Sequence, residues 1–394
     1  MNIINLKIIF RSLLKNKFYS TLSILGVALT FMFLTVVFIA IRQMTGNISP
    51  DVNKDKTISF SSFRLENGED VWVDSALVKN YMRLKVPEHI AYLNSQSPSV
   101  FHNERIVQDD IGYVNAEFFK IFELEYIKGK AFDINEENTP VVVMTEDYAK
   151  KYFGKTDVVG SKFELQGNIF TVIGIVKKAY QFSAAKYGLY IPYKFDRFIP
   201  QRDMEHTVFL KAKDKESVSL MAEELNRMNQ QLYQQGVMKH RPISTKWNAM
   251  NVIDKTPVLA SLGAIVALLL LIPVFNILSL NSGRIMDQLE ELSIKKAYGA
   301  SRLNIFKELI TENLISTSIG ALIGLILTIP FIQGLLLLVN EFSSQPLSLI
   351  FRMDIYVVII IIAVTFIFSI LSSFIPAWAI SRNKIITGLK GGKS

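Results

Sequence analysis

The residue types that most often carry out chemistry in proteins are sparse and dispersed in this chain. It has no cysteine, which excludes disulfides, thiol catalysis and thiolate metal ligands. Asp109 and Asp110 are adjacent carboxylates, but they precede a strand-like segment, so we interpret them as a solvated loop and not as an acid and base pair. We find no Ser-centred nucleophile elbow. The histidines form no HxH or HxxxH pair that would fix a metal ion; they are His89, His102, His206 and His240. We therefore expect a protein that is not an enzyme.

Two segments come close to the phosphate-binding loop of ATPases, and neither completes it. That loop requires Gly, four residues and then Gly-Lys-Ser/Thr, so that backbone amides ahead of a helix surround the phosphates. The segment Gly154-Lys155-Thr156 has Ala149 where the first glycine belongs, and Gly392-Lys393-Ser394 has Thr387 there. Any nucleotide hydrolysis is therefore expected in another polypeptide, which would bind the ATP and magnesium. For this chain itself we predict no cofactor and no metal.

Four apolar stretches without Asp, Glu, Lys or Arg dominate the sequence, and each is long enough for a helix to cross the ~30 Å hydrocarbon core. They carry no ionisable residue of the kind that marks ion paths, so a channel or a secondary transporter is not expected. Gly320 and Gly324 form a GxxxG pair, which permits close helix contact either inside one subunit or at a dimer seam. The stretches are residues 18–41, 258–280, 315–339 and 356–380. The sequence predicts an integral membrane protein.

The basic residues near the two ends predict the topology. Short basic flanks stay in the cytoplasm, so both termini are expected inside and the long polar segment 42–256 outside. The first apolar stretch exceeds the usual signal-peptide core of ~7–15 residues, and we expect it to be retained. The net charge of +8 then reflects topology and contact with anionic lipid, not nucleic acid. The flanking residues are Lys7, Arg11, Lys15 and Lys17 before the first span and Arg382, Lys384, Lys390 and Lys393 after the last.

The outer segment has the pattern of a folded α+β domain with a mixed sheet. Residues 140–144 read as a buried strand, and Thr145 reads as the N-cap of a helix over 146–153 that ends at Gly154. Strands are predicted at 162–165 and 169–176, joined by a turn containing Gly167. Residues 216–233 form an amphipathic helix whose apolar side carries Val218, Met221, Leu225, Met228 and Leu232.

The cytoplasmic link between the second and third spans is the place where a soluble partner would dock. Its sequence predicts a helix that continues out of the membrane, ends at Gly299 and restarts with Ser301 as N-cap. Glu291 and Lys295 form an i,i+4 pair in the favourable order, and Lys296 also lies at the helix end where the dipole favours cations. A rigid helix turn that presents both charge signs suits contact with a soluble motor.

These residues resemble the MacB/FtsX/LolC-type ABC permeases, also called type VII or mechanotransmission transporters. The run from Glu291 to Ser301 is similar to the signature E-I-G-I-x-R-A-x-G-A-S of that family, with Ser293 for Gly and Lys296 for Arg. Residues 115–122, 129–132, 140–160 and 170–176 are similar to the MacB-like periplasmic core domain. The ending Pro376-Ala-Trp with Gly388-Leu-Lys390 resembles the C-terminal motif of the family, from which it departs at Ile380, Ile385, Gly388 and Lys390.

The resemblance implies a non-catalytic permease that pairs with a second copy or a paralogue and binds a separate ABC ATPase in the bacterial inner membrane. It further implies export or extrusion, lipoprotein handling or activation of a cell-wall hydrolase, with a periplasmic adaptor, outer-membrane channel or hydrolase as further partners. It assigns to the ATPase interface Arg284, Asp287, Glu290, Glu291, Lys295, Lys296, Gly299, Ser301 and Arg302. It assigns to the membrane surface or a second ATPase contact Lys7, Arg11, Lys15 and Lys17.

The expected fold is a membrane α-helical protein with four transmembrane helices and an extracytoplasmic α+β domain inserted between the first and second spans. A membrane sensor with an extracytoplasmic binding domain is the alternative, although no cytoplasmic segment is long enough for a signalling domain. The expected order is a cytoplasmic amphipathic helix 1–17, span 18–41, outer domain 42–256, span 257–281, cytoplasmic coupling helix 282–312, span 313–340, outer loop 341–354, span 355–381 and tail 382–394.

Overall fold

The chain divides into two compact units. One contains Met1–Arg42, Thr256–Glu341 and Phe351–Ser394, and the other contains Gln43–Lys255 and Phe342–Ile350. The structure is a computed structural model. It describes residues 17–102, 105–165, 167–180, 183–196, 206–238, 240–243, 260–261, 263–268, 294, 298–299, 301–342, 355–356, 358–364, 366–367 and 370.

Strands and short helices alternate through the second unit, whereas long helices make up the first. The described strands are β1 Thr57–Phe60, β2 Ser62–Arg64, β3 Asp70–Trp72, β4 His89–Gln96, β5 Ser99–His102, β6 Arg105–Gln108, β7 Ile111–Val114, β8 Tyr126–Gly129, β9 Val141–Thr145, β10 Lys162–Leu165, β11 Asn168–Val176, β12 Leu189–Pro192 and β13 His206–Lys211. The described helices are α1 Lys17–Thr45, α2 Ser75–Tyr81, α3 Phe118–Ile121, α4 Glu146–Phe153, α5 Ser217–Gln234 and α6 Arg302–Phe342.

The second unit is organised around one mixed sheet. Nine of its described strands form the order β1-β13-β4-β7-β12-β9-β11-β10, with β8 also paired to β11. The pairs β7·β12 and β9·β11 are parallel, and the others are antiparallel. The remaining strands form the two-stranded sheets β2·β3 and β5·β6. The predicted mixed sheet is confirmed.

Apolar residues on both faces of this sheet are buried. On β9, Val141 and Val143 belong to a core cluster with α3, whereas Val142 and Met144 belong to one with α4. Successive side chains of a strand point to opposite faces, so the two helices cover opposite sides. A third cluster packs α2 and α5 against β1, β4 and β13. The sheet therefore has an apolar core on each side.

The local predictions for this unit are largely confirmed. The predicted strands and helices at 140–176 and 216–233 agree with the structure to within one residue. Gly154 has φ +69° at the C-cap of α4, and Gly167 has φ +76° in the turn between β10 and β11. Thr145 occupies the N-cap position, but its side chain makes no capping hydrogen bond. Its hydroxyl is buried without a hydrogen-bond partner.

Two described helices of the first unit are long and apolar enough to cross a membrane, over Ser20–Thr45 and Ile310–Leu338. The described residues of the other two predicted spans, within 260–268 and 355–370, are helical as well. Residues from all four predicted spans meet in one apolar cluster, which includes Phe31, Val266, Ala321 and Ile361. Helix α6 is continuous from Arg302 to Phe342 and therefore runs across the predicted boundary between residues 312 and 313.

Candidate functional site

The turn before α6 is the described part of the predicted coupling segment. The amide of Tyr298 donates to the carbonyl of Ile294 at 3.0 Å, as in the last turn of a helix. Gly299 has φ +91°, the left-handed conformation that ends many helices and that glycine adopts without strain. The amide of Asn304 donates to Oγ of Ser301 at 3.2 Å, which is the geometry of an N-cap. The predicted helix end at Gly299 and the predicted cap at Ser301 are both confirmed.

Two other predicted contact residues begin the long helices. Arg302 is the first residue of α6, and Lys17 is the first residue of α1. Ser301 directly precedes α6, and Gly299 lies three residues before the first residue of that helix. The following predicted contact residues lie outside the described part of the chain: Arg284, Asp287, Glu290, Glu291, Lys295, Lys296, Lys7, Arg11 and Lys15.

Helices α1 and α6 are in backbone contact at the GxxxG pair. A Cβ added at Gly324 would lie 2.4 Å from the carbonyl oxygen of Ala28 and 3.0 Å from the amide nitrogen of Met32. A Cβ at Gly320 would lie 2.7 Å from Cγ1 of Val27. Only glycine permits such an approach, because every other residue places a carbon in this space. Of the two interpretations left open by the sequence, the structure shows packing inside one subunit.

The contacts of the two glycines also define the relative direction of α1 and α6. Gly320 lies against Ile24 and Val27, whereas Gly324, one turn later, lies against Ala28 and Met32, also later in α1. The two helices therefore run parallel. Their first residues lie at the same end of the helix pair.

An acidic residue lies within the helical stretch of membrane length, although the apolar stretch 315–339 has none. Glu312 is buried, and the hydroxyl of Ser316 donates to its backbone carbonyl at 3.1 Å. Thr30, Thr35 and Thr328 similarly donate to the carbonyl four residues earlier in their helices. These hydroxyls are thus satisfied within their own helices, whereas the buried hydroxyls of Ser20 and Thr317 have no hydrogen-bond partner among the described residues.

In the second unit, the structure corrects the interpretation of Asp109 as part of a solvated loop. Its carboxylate is completely buried and accepts a hydrogen bond at 2.6 Å from Lys151 and another from the hydroxyl of Tyr152. Burial and the adjacent carboxylate raise the pKa of Tyr152, so this hydroxyl remains a donor at neutral pH. Asp110 is exposed, as predicted. The pair connects the start of β7 to α4 and has the contacts of a structural ion pair.

A second buried pair, Asp51 and Lys54, lies just after α1. No local sequence pattern indicates this pair, because the residue that joins it, Tyr180, is more than a hundred positions away. A lysine three residues after an aspartate is common on protein surfaces and carries no signal of burial. Within the described residues, no group of three or more His, Asp or Glu side chains is arranged to hold a metal ion.

Comparisons with known proteins match both units. Residues 20–228 match the model of the MacB-like periplasmic core domain, and residues 263–385 match the FtsX-like permease C-terminal model. The uncharacterized ABC transporter permease YvrN of Bacillus subtilis (strain 168) is 24% identical over 251 residues, which is 60% of each chain. YknZ of the same organism, with the same description, is 23% identical over 344 residues, 82% of this chain and 84% of that one.

Two solved structures of extracytoplasmic domains are also similar to this chain. The extracellular domain of the noncanonic ABC-type transporter YknZ from Gram-positive bacteria is 14% identical, with a TM-score of 0.39. The match covers 48% of this chain and all of that domain. The periplasmic region of MacB from Actinobacillus actinomycetemcomitans is 14% identical, with a TM-score of 0.34. That match covers 47% of this chain and 89% of the other.

Proposed function

Because this chain belongs to the ABC transporter permeases that combine a MacB-like periplasmic core domain with an FtsX-like permease domain, we propose that it transmits movement from a separate cytoplasmic ATPase to its own extracytoplasmic domain. The family supplies a permease subunit whose ATPase is a different chain. From the contacts of the described residues we infer which helices pass the movement on.

The observation that carries the proposal is the backbone contact between α1 and α6. Helix α6 begins three residues after Gly299 and, at 41 residues, extends for about 60 Å. It contacts the backbone of α1 at Gly320 and Gly324, where no side chain of α6 separates the two helices. Helix α1 is itself continuous to Thr45, beyond the first residues of the second unit. A displacement of the turn is therefore passed to α6 and from there to α1.

The parallel direction of α1 and α6 supports the proposed topology. With the folded segment 57–243 following α1, the turn before α6 lies at the opposite end of the helix pair from the residue at which α1 ends. We place the turn, both chain termini and the ATPase on the cytoplasmic side of a bacterial inner membrane, and the mixed sheet outside. The proposed ATPase contacts are the charged residues of 284–302. Lys7, Arg11, Lys15 and Lys17 form a second contact or bind lipid.

The first experiment purifies the full chain from its own membranes in mild detergent and identifies any co-purifying protein with a Walker motif by mass spectrometry. Glu291→Arg reverses a charge of the proposed interface, and Glu164→Arg, on an exposed position of β10, is the matched control. We expect the ATPase with the wild type and with Glu164→Arg, and at least a tenfold lower recovery with Glu291→Arg.

A second pair of variants tests the turn itself. Gly299→Ala strains a residue at φ +91°, whereas Gly334→Ala adds a methyl group in open space on α6. Loss of the ATPase in Gly299→Ala alone would locate the interface at the turn. Equal recovery in Glu291→Arg, Gly299→Ala and wild type would refute the assigned interface, and absence of any ATPase from folded wild-type protein would refute the coupling and favour a sensor.

A further inference from the structure

Three side chains form a buried cluster in which one of them, Lys54, binds the end of α1; we call it the helix-end joint and define it as Asp51, Lys54 and Tyr180. The ammonium group of Lys54 donates to the backbone carbonyl of Gln43 at 2.7 Å and to the hydroxyl oxygen of Tyr180 at 2.8 Å. The Tyr180 hydroxyl in turn donates to the carboxylate of Asp51. The nearest oxygen of Asp51 lies 4.0 Å from the Lys54 nitrogen.

The helix-end joint fits the electrostatics of a helix C-terminus. The last carbonyls of a helix have no partner within the helix, and the helix dipole places partial negative charge there. Gln43 lies two residues before the end of α1, so the Lys54 cation binds one of these carbonyls. A lysine in this position satisfies the carbonyl and opposes the dipole with one group.

The segment that carries the joint is also attached to the core domain by its backbone. The amide of Glu123 donates to the carbonyl of Pro50 at 2.9 Å. The side-chain amide of Asn53 donates to the carbonyl of Ile121 at 3.1 Å. Tyr180 follows β11, the strand that pairs with β8, β9 and β10. The carbonyl of Gln43 is thus bound by Lys54, and Tyr180 joins Lys54 and Asp51 to the chain that follows β11.

The burial of the helix-end joint indicates that it fixes an orientation and does not mainly add stability. The side chains of Lys54 and Asp51 are 7% and 0% exposed. Burial raises the pKa of Asp51, and the charge of Lys54 opposes that rise. Replacing a buried ion pair by apolar residues is often neutral or stabilising, whereas removing one partner costs ~3–5 kcal/mol. Stability alone therefore does not account for the joint, and the other role of a buried ion pair is to fix the orientation of the groups that it joins.

We propose that Asp51, Lys54 and Tyr180 are positioning residues that hold the end of α1 rigidly in the core domain, so that movement of the helix turns the domain. This inference rests on the proposed coupling function. A flexible linker at the same place would absorb the displacement of the helix. The helix-end joint replaces such a linker by a charge-assisted hydrogen bond to a backbone atom of the helix.

The test uses the full chain reconstituted in liposomes with its ATPase. The chain has no cysteine, so Ile359→Cys in the fourth predicted span and Ile169→Cys on β11, both at exposed positions, accept nitroxide labels selectively. Neither label lies on α1, so their distance reports the movement that α1 passes to the domain. Pulsed EPR then measures the change in the distance between the labels when ATP analogue is added. Labelled chains are diluted with unlabelled chains, so that distances between protomers do not contribute.

The decisive variant is Asp51→Asn/Lys54→Met, which removes both charges and the bond to Gln43. The matched control is Asp109→Asn/Lys151→Met, which removes the other buried pair of the same domain, away from α1. We expect the nucleotide-dependent distance change to fall to less than half in the first variant, at an unchanged ATPase rate and melting temperature, and to persist in the control. Lys54→Arg, which keeps the cation, should restore it in part.

Each outcome of the distance measurement either supports or overturns the proposed role of the joint. A full distance change in Asp51→Asn/Lys54→Met, or an equal loss in the control, overturns the proposal. No distance change in the wild type overturns the coupling function itself, and the joint with it. If the decisive variant does not fold, Tyr180→Phe replaces it by removing only the hydroxyl that joins the two charged groups. If the nucleotide-dependent distance change in Tyr180→Phe equals that of wild type, the proposal is overturned. A smaller distance change than in wild type supports it.

Discussion

The contact between α1 and α6 predicts the effect of a single methyl group. In Gly324→Ala the new Cβ would lie 2.4 Å from the carbonyl oxygen of Ala28, a helix backbone atom that cannot rotate away. This is about 1 Å short of the 3.4 Å at which ordinary contact begins, so the helices must separate by a comparable distance. Gly334→Ala, ten residues later on the same helix, has no atom within 4 Å of its Cβ.

The difference between these two variants isolates the steric cost. Replacing glycine by alanine inside a helix contributes ~1 kcal/mol of helix propensity, and this contribution is common to both. Overpacking a close contact costs ~1–3 kcal/mol. We therefore expect Gly324→Ala to be less stable than Gly334→Ala by ~1–3 kcal/mol, or about 5- to 150-fold in the folding equilibrium constant. Gly320→Ala should fall between them, because its nearest atom, Cγ1 of Val27, belongs to a side chain.

The assay is reversible unfolding of the purified chain in mixed micelles, with increasing fractions of a denaturing detergent. Loss of helix is followed by far-ultraviolet circular dichroism, and the three variants are measured in the same micelles. Equal midpoints for Gly324→Ala and Gly334→Ala would refute the backbone contact. They would also remove the rigid connection on which the proposed transmission depends.

Two further predictions concern the extracytoplasmic domain. In Lys151→Met the buried Asp109 carboxylate loses its cationic partner, and we expect the free energy of unfolding to fall by ~3–5 kcal/mol. Adding Asp109→Asn should recover much of this loss. Chemical denaturation of both variants measures the two free energies. Burial acts to raise the pKa of Glu117, but hydrogen bonds from Lys120 and His89 outweigh it and leave the pKa below 4.5. The stability advantage of wild type over Glu117→Gln should therefore be complete above pH 4.5 and shrink as the pH falls through the lowered pKa; an advantage independent of pH would contradict this.

The sequence alone determined the features that depend on neighbours along the chain. Apolar runs of membrane length, the continuous burial of β9 and the periodicity of α5 are set by residues a few positions apart. Gly154 and Gly299 ended helices where predicted, because glycine adopts positive φ at a helix C-terminus without a Cβ clash. The cap at Ser301 is likewise a contact over three residues.

The tertiary structure decided which of these elements touch and which polar groups are buried. The GxxxG pair permits a close contact in any helix, but only the packed helices show that its partner is α1 of the same chain. Asp109 became buried because Lys151 and Tyr152 of α4 fold over it, and no local pattern distinguishes it from exposed Asp110. Tyr180 contacts Lys54 and Asp51 only because the folded sheet brings these distant parts of the chain together. Local preference sets the conformation of a segment, whereas burial and pairing depend on surfaces brought together from distant parts of the chain.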